Sequence, residues 1–164
     1  MLNQILKPPS LLEGIPREVA DTLSRFDNEP LLRCDYNDDG SEIPERRERA
    51  RKYVYYQAMV RYYIKKKYGL RNYKSLVKSL TPGDIITVDP HILLARSSQE
   101  LEESKDGKGI TSGPVDVIVT DNDELVVHDG HHRLYNALKS NRNSIKIHVL
   151  EPFPFAFLNN EEKY

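Results

Sequence analysis

The run Val126-Val127-His128-Asp129-Gly130-His131-His132-Arg133-Leu134 gathers a carboxylate, a glycine, three imidazoles and a guanidinium into one short stretch. Leu125-Val126-Val127 reads as a strand, and Leu134, Ala137 and Leu138 mark a helix face, so the polar residues fall on a strand-to-helix turn. Cations in the first turn of a helix oppose its dipole, at a cost of about 0.3–1 kcal/mol each when charged. Placing His131, His132 and Arg133 there makes physical sense beside an anion. First-turn N–H groups, Arg133 and a histidine would together form a phosphate cradle. Gly130 would let the backbone approach the ligand closely. Asp129 could take a proton from a hydroxyl nucleophile or hold Mg²⁺ against the phosphates.

Two other readings of the run stand beside this one. In the blander, Asp129 caps the helix, Gly130 turns the chain and Arg133 pairs with a neighbouring acid; Asp-Gly alone would mean no more than that. In the other, His128, Asp129, His131 and His132 bind a metal, which is weaker because adjacent strand side chains diverge.

The elements around the run follow from periodicity and punctuation. Pro16 suits a helix start, Val19, Leu23 and Phe26 follow at helical spacing, and Pro30 ends that helix. Residues 33–40 read as a polar loop. Ser41 as N-cap, Pro44 in the first turn and Gly69 as stop frame a helix of roughly seven turns. Its expected core stripe is Tyr53, Tyr56, Val60, Tyr63, Ile64 and Tyr68, with Arg51, Tyr55, Ala58, Tyr62, Lys65 and Lys66 near the opposite side. A short helix capped by Asn72 carries Tyr73, Leu76, Val77 and Leu80. From Thr81 the pattern changes. Ile85–Val88 reads as a buried strand, Asp89-Pro90 as the cap of a short helix, 98–103 as a helical turn or two, and 104–113 as a glycine-containing loop. Val115–Val119 and the strand from Leu125 form a hairpin around Asp121-Asn122-Asp123, and Ile145–Leu150 is a fourth strand. Pro152-Phe153-Pro154-Phe155-Ala156-Phe157 reads as no regular element, and its default is to dock on its own domain.

The expected class is therefore α+β. A helical N-terminal region, 1–80, packs on a small mixed-sheet domain, 81–151, followed by a Pro/Phe tail, 152–164. The 164 residues fit one ordinary domain plus an extension. Hydrophobic residues are 38% and charged residues 30%, which indicates a globular chain with a very polar surface. No apolar run approaches a membrane span, and the N-terminus lacks the pattern of a secretory signal. Cys34 is the single cysteine, so no internal disulfide framework exists, and a cytoplasmic compartment is the simplest expectation. The net charge of −1 conceals a basic centre: residues 41–80 sum to +9, against −4 before and −6 after. Such a centre answers either an anionic partner or the chain's own acidic segments.

The segments Pro-Val-Asp-Val-Ile-Val-Thr, Leu-Val-Val-His-Asp-Gly-His-His-Arg-Leu-Tyr-Asn-Ala-Leu and Ile-Lys-Ile-His-Val-Leu, with Ile-Ile-Thr-Val-Asp-Pro upstream, resemble the ParB/sulfiredoxin-like fold over about 84–150. Sulfiredoxins need a cysteine where His131 stands. Partition-type ParB proteins carry Gly-Glu-Arg-Arg and a downstream helix-turn-helix domain. Archaeal free serine kinases of this superfamily carry Asp-Gly-His-His-Arg itself. That resemblance implies ATP or another nucleotide with Mg²⁺, and Asp129 as the base for a small hydroxyl substrate, or as metal anchor. It also implies that the helix from Gly130 holds phosphates through His132 and Arg133, with His131 a secondary contact. The kinases also use a glutamate before the second strand, for which Glu100, Glu102 and Glu103 are candidates. The expected function is a nucleotide-binding phosphotransferase or NTPase. The alternative is a DNA- or RNA-binding protein, or a ParB-like nuclease, using the Tyr-rich basic helix over 46–74. There Arg51, Arg61, Lys65, Lys66 and Lys67 would track phosphates and Tyr55 and Tyr62 would stack on bases. Equally, those tyrosines pack against residues 1–30 and the cations pair with that acidic segment. His91, His128 and His148 read as structural or solvent-facing, and Asp121, Asp123 and Glu124 as turn residues.

Overall fold

A computed structural model describes residues 15–31, 36–96 and 112–152. The expectations for Cys34, for 98–111, including Glu100, Glu102 and Glu103, and for the tail from 153 lie outside them. The described residues form a mixed α+β structure with α1 (Arg17–Asn28), α2 (Pro44–Lys67), α3 (Leu70–Ser79), β1 (Ile85–Val88), a 3-10 turn (Pro90–Ile92), β2 (Val115–Val119), β3 (Leu125–Asp129), α4 (His131–Lys139) and β4 (Ile145–Val149). The four strands make one sheet in the order β1-β4-β2-β3. β1 is antiparallel to β4 and β2 to β3, whereas β2 and β4 run parallel. No helix among the described residues is long and apolar enough to cross a membrane.

α2 is buried on two sides, because its tyrosines and small apolar residues are spread around the helix. Tyr53, Tyr56, Val60 and Ile64 join α3, the sheet and α4 in the main core. Ala50, Val54, Tyr55 and Ala58 form a second cluster with Val19, Leu23 and Phe26 of α1. The main core runs without a break across the composition shift at Thr81.

Four local expectations are corrected. The long helix starts at Pro44, with Ile43 in the cap position, since Ser41 is held in a turn by Asp39 and neighbouring Glu42 bridges back to Tyr36. The next helix begins after Gly69, whose positive φ of 82° suits glycine, and Asn72 lies inside its first turn, donating to the Tyr68 carbonyl. β1 is an edge strand and not a buried one, with Ile85 58% exposed. Tyr68 lies at the end of its expected stripe and is exposed, its hydroxyl turned to Asp89.

Candidate functional site

The expected strand–glycine–helix turn is present: β3 ends at Asp129, Gly130 sits at the cap position with φ 108°, and α4 starts at His131. Strict alternation along β3 would send Asp129 into the core with Leu125 and Val127. The ladder instead carries an irregularity, with Val117 opposite Val127 but Asp116 opposite Asp129, so His128 is the extra residue. A bulge of this kind re-aims the side chains that follow it. Asp129 is thereby turned to the face of Asp116 and is exposed. On the next strand His148 stands opposite Asp116, and its Nδ1 lies 3.1 Å from Asp116 Oδ1. Thus Asp129, Asp116 and His148 form one row across β3, β2 and β4. Sequence reasoning missed Asp116 and His148 as neighbours of the turn. The signal was the lone acid inside Val115-Asp116-Val117, but only the register brings it to Asp129.

Gly130 caps α4 without a side-chain hydrogen bond, and the first N–H groups of a helix have no intrahelical carbonyl. Arg133 folds back over Gly130: a Cβ added to Gly130 would lie 2.9 Å from Arg133 Nη2 and 3.1 Å from Nε. Its Nη1 donates to the carbonyls of Pro114 at 2.6 Å and Ser112 at 3.3 Å, tying the turn to the start of β2. Arg133 Nε and His132 Nδ1 are buried polar atoms without a hydrogen-bond partner among the described residues. His131 is buried, and its Nε2 accepts the Arg96 N–H at 3.1 Å. That contact requires an unprotonated Nε2 and commits the ring to the backbone before 97. No group of three His, Cys, Asp or Glu side chains among the described residues is arranged to hold a metal ion, so the histidine-rich metal reading of this run gains no support.

The basic helix is largely neutralised by its own molecule. Tyr55 is 2% exposed beneath α1, which withholds its ring from a base. Arg51 pairs with Asp27 at 3.1 Å and Lys65 with Glu18 at 2.8 Å. Arg61 makes a bidentate pair with Glu124 at 2.9 and 3.1 Å, so that glutamate anchors the hairpin to α2. Lys66 lies over the Tyr62 ring, and Lys67 reaches Asp89 at 3.4 Å. Arg61, Tyr62 and Lys65 line a groove of about 530 Å³ together with Glu18 and Glu124, a wall of both signs.

A second polar centre surrounds Asp89. Its carboxylate accepts from the Tyr63 hydroxyl, from Tyr68 at 2.8 Å, and from the His91 N–H at 2.9 Å, and it lies 2.8 Å from His91 Nδ1. Burial opposes its ionisation, but the Tyr63, His91 and Tyr68 hydrogen bonds outweigh that and hold its pKa at about 2. Burial, and then the adjacent Asp89 carboxylate, push Tyr68 up to about 12. The partners of Asp89 come from α2, the α2–α3 junction and the 3-10 turn, so the centre fastens the long helix to the end of β1.

No family model, curated protein or solved structure matches this chain.

Proposed function

We propose that the turn Asp129–Arg133 binds the phosphates of a nucleotide and that the protein is a phosphotransferase or NTPase of the ParB/sulfiredoxin-like superfamily. The observation that carries this reading is the bulge that delivers an exposed Asp129 to the uncapped start of α4, beside Asp116. A carboxylate beside a helix N-terminus can serve both ends of a phosphoryl transfer. The hydroxyl of a small acceptor gives its proton to an Asp129 oxygen as its own oxygen bonds the terminal phosphorus. The bond from that phosphorus to the bridging oxygen breaks, and the nucleoside diphosphate departs.

The N–H groups of His132 and Arg133, with the His132 ring, hold the phosphate oxygens. Arg133 acts chiefly by fixing the turn, since its Nη1 is already bonded to the carbonyls of residues 112 and 114. The residues fit Mg²⁺, which usually takes one or two carboxylates together with substrate phosphates and needs no protein cage. Asp116 would hold it, with Asp129 a ligand only where it is not the base, and it would neutralise charge developing on the phosphate oxygens. The nucleic-acid reading loses ground to the ion pairs along α2.

Thermal shifts with ATP, ADP and CTP, each with and without Mg²⁺, test the site. A nucleotide at 100 times its dissociation constant should add about 2.7 kcal/mol of stability. Asp129→Ala should keep the fold and abolish release of diphosphate, with serine and other small alcohols as trial acceptors. No shift with any nucleotide, or full turnover in Asp129→Ala, overturns the proposal.

A further inference from the structure

A groove of about 530 Å³ opens where α1, α2, α3 and the β2–β3 hairpin meet. Small-molecule pockets typically run from about 300 to 1,000 Å³. The groove lies at the hairpin end of β3, beside Glu124, whereas Asp129 ends the same strand, so it is separate from the strand-to-helix turn. Its floor is apolar, since Ala58, Ile64 and Tyr73 are all buried.

The walls of the groove are braced. Glu18 of α1 accepts from Lys65 of α2 at 2.8 Å, and Glu124 after the hairpin turn takes Nε and Nη2 of Arg61. Both acids of the groove are thereby matched by cations of their own. Arg61 is fixed in orientation by its two bonds, and its third nitrogen, Nη1, makes no hydrogen bond among the described residues. Lys74 of α3 is exposed and has no partner among the described residues. Arg61, Lys65 and Lys74 thus stand against Glu18 and Glu124, a surplus of one positive charge.

We propose that this groove binds a small organic acid, with a single carboxylate on an apolar body of about one ring. The body covers the floor of Ala58, Ile64 and Tyr73, and the carboxylate is held by Lys74 and by the free nitrogen of Arg61. One surplus charge answers one carboxylate. A phosphate dianion or a nucleic-acid backbone brings more negative charge than the surplus matches, and it meets Glu18 and Glu124 as like charges. A neutral or cationic molecule leaves Lys74 and Arg61 Nη1 unanswered. The two ion pairs set the walls before a ligand arrives, so little ordering is lost on binding.

Phenylacetate serves as the probe and phenylacetamide as its uncharged counterpart, each titrated into the full chain by calorimetry. The expected result is saturable binding of phenylacetate, about tenfold or more tighter than the amide. Inorganic phosphate should not displace it. Lys74→Gln, at an exposed position, should weaken binding about fivefold, the upper end for an exposed charge pair. Arg71→Gln, on the same helix but outside the groove, should leave it unchanged. Arg61→Gln should weaken it further; should that variant fail to fold, the comparison of Lys74→Gln with Arg71→Gln decides. Absence of saturable binding overturns the proposal, as does equal affinity for the amide, which leaves apolar contact alone. Affinity unchanged in Lys74→Gln, or lowered equally in Arg71→Gln, also overturns it, the first placing the acid elsewhere and the second reducing the attraction to general charge. Displacement by phosphate or by a single-stranded oligonucleotide makes the groove a phosphate-binding face and overturns it too.

Discussion

At the scale of single residues, Asp129 owes its position to one extra residue in β3, and Gly130 owes its identity to the arginine that lies over it. Gly130→Ala must adopt a left-handed backbone with its Cβ 2.9 Å from Arg133 Nη2. The strain should cost about 1–3 kcal/mol, read as a lower urea midpoint, and should loosen the hold of Arg133 on the carbonyls of residues 112 and 114. Arg133→Lys should also destabilise, because an ammonium cannot reproduce the planar reach of a guanidinium to two carbonyls. Asp89 makes a pH-dependent contribution. Its pKa is held at about 2 in the folded protein, below the unfolded value of about 3.9. The stability it confers is therefore fully present above about pH 4 and is lost as the pH falls through about 2. Asp89→Asn should cost on the order of 2 kcal/mol at neutral pH, and urea titrations should show that difference vanishing in strong acid.

At the scale of elements, α2 organises the molecule through tyrosine hydroxyls as much as through apolar packing. Tyr53 donates to the Ala95 carbonyl and Tyr56 to the Leu93 carbonyl at 2.5 Å, so the backbone after the 3-10 turn is satisfied by a helix remote in sequence. Tyr56→Phe should cost about 1–3 kcal/mol, because it strands a buried carbonyl without opening a cavity; calorimetry of the variant checks this. Leu93–Ala95 also lies against β3, with Leu94 bridged to Val126, and Arg96 continues to His131. The long helix thus supports the turn at Asp129 through one strip of backbone. The periodicity of α2 marks its core stripe, since Tyr53, Tyr56, Val60 and Ile64 are all buried. Its second buried face was harder to read, because Tyr55 and Ala58 look the same whether they meet a base, solvent or α1.

At the scale of the whole molecule, the main core joins both halves of the chain, while α1 is attached through its own smaller cluster. Leu23→Ala should cost about 2–5 kcal/mol and release α1 from α2, exposing Tyr55. Tyrosine absorbance should then show a transition below the main circular-dichroism melt. Amino-acid order alone was enough to set the succession of helices and strands, the hairpin, and the strand–glycine–helix turn, since these depend on local periodicity and on glycine and proline. It also marked Asp129 as the residue worth testing. The tertiary structure decided which charges of α2 are neutralised, where Arg133 and His131 are committed, and that β1 stands at an edge. It also decided that Asp116 and His148 stand beside Asp129, because strand order and register join residues that the chain keeps apart.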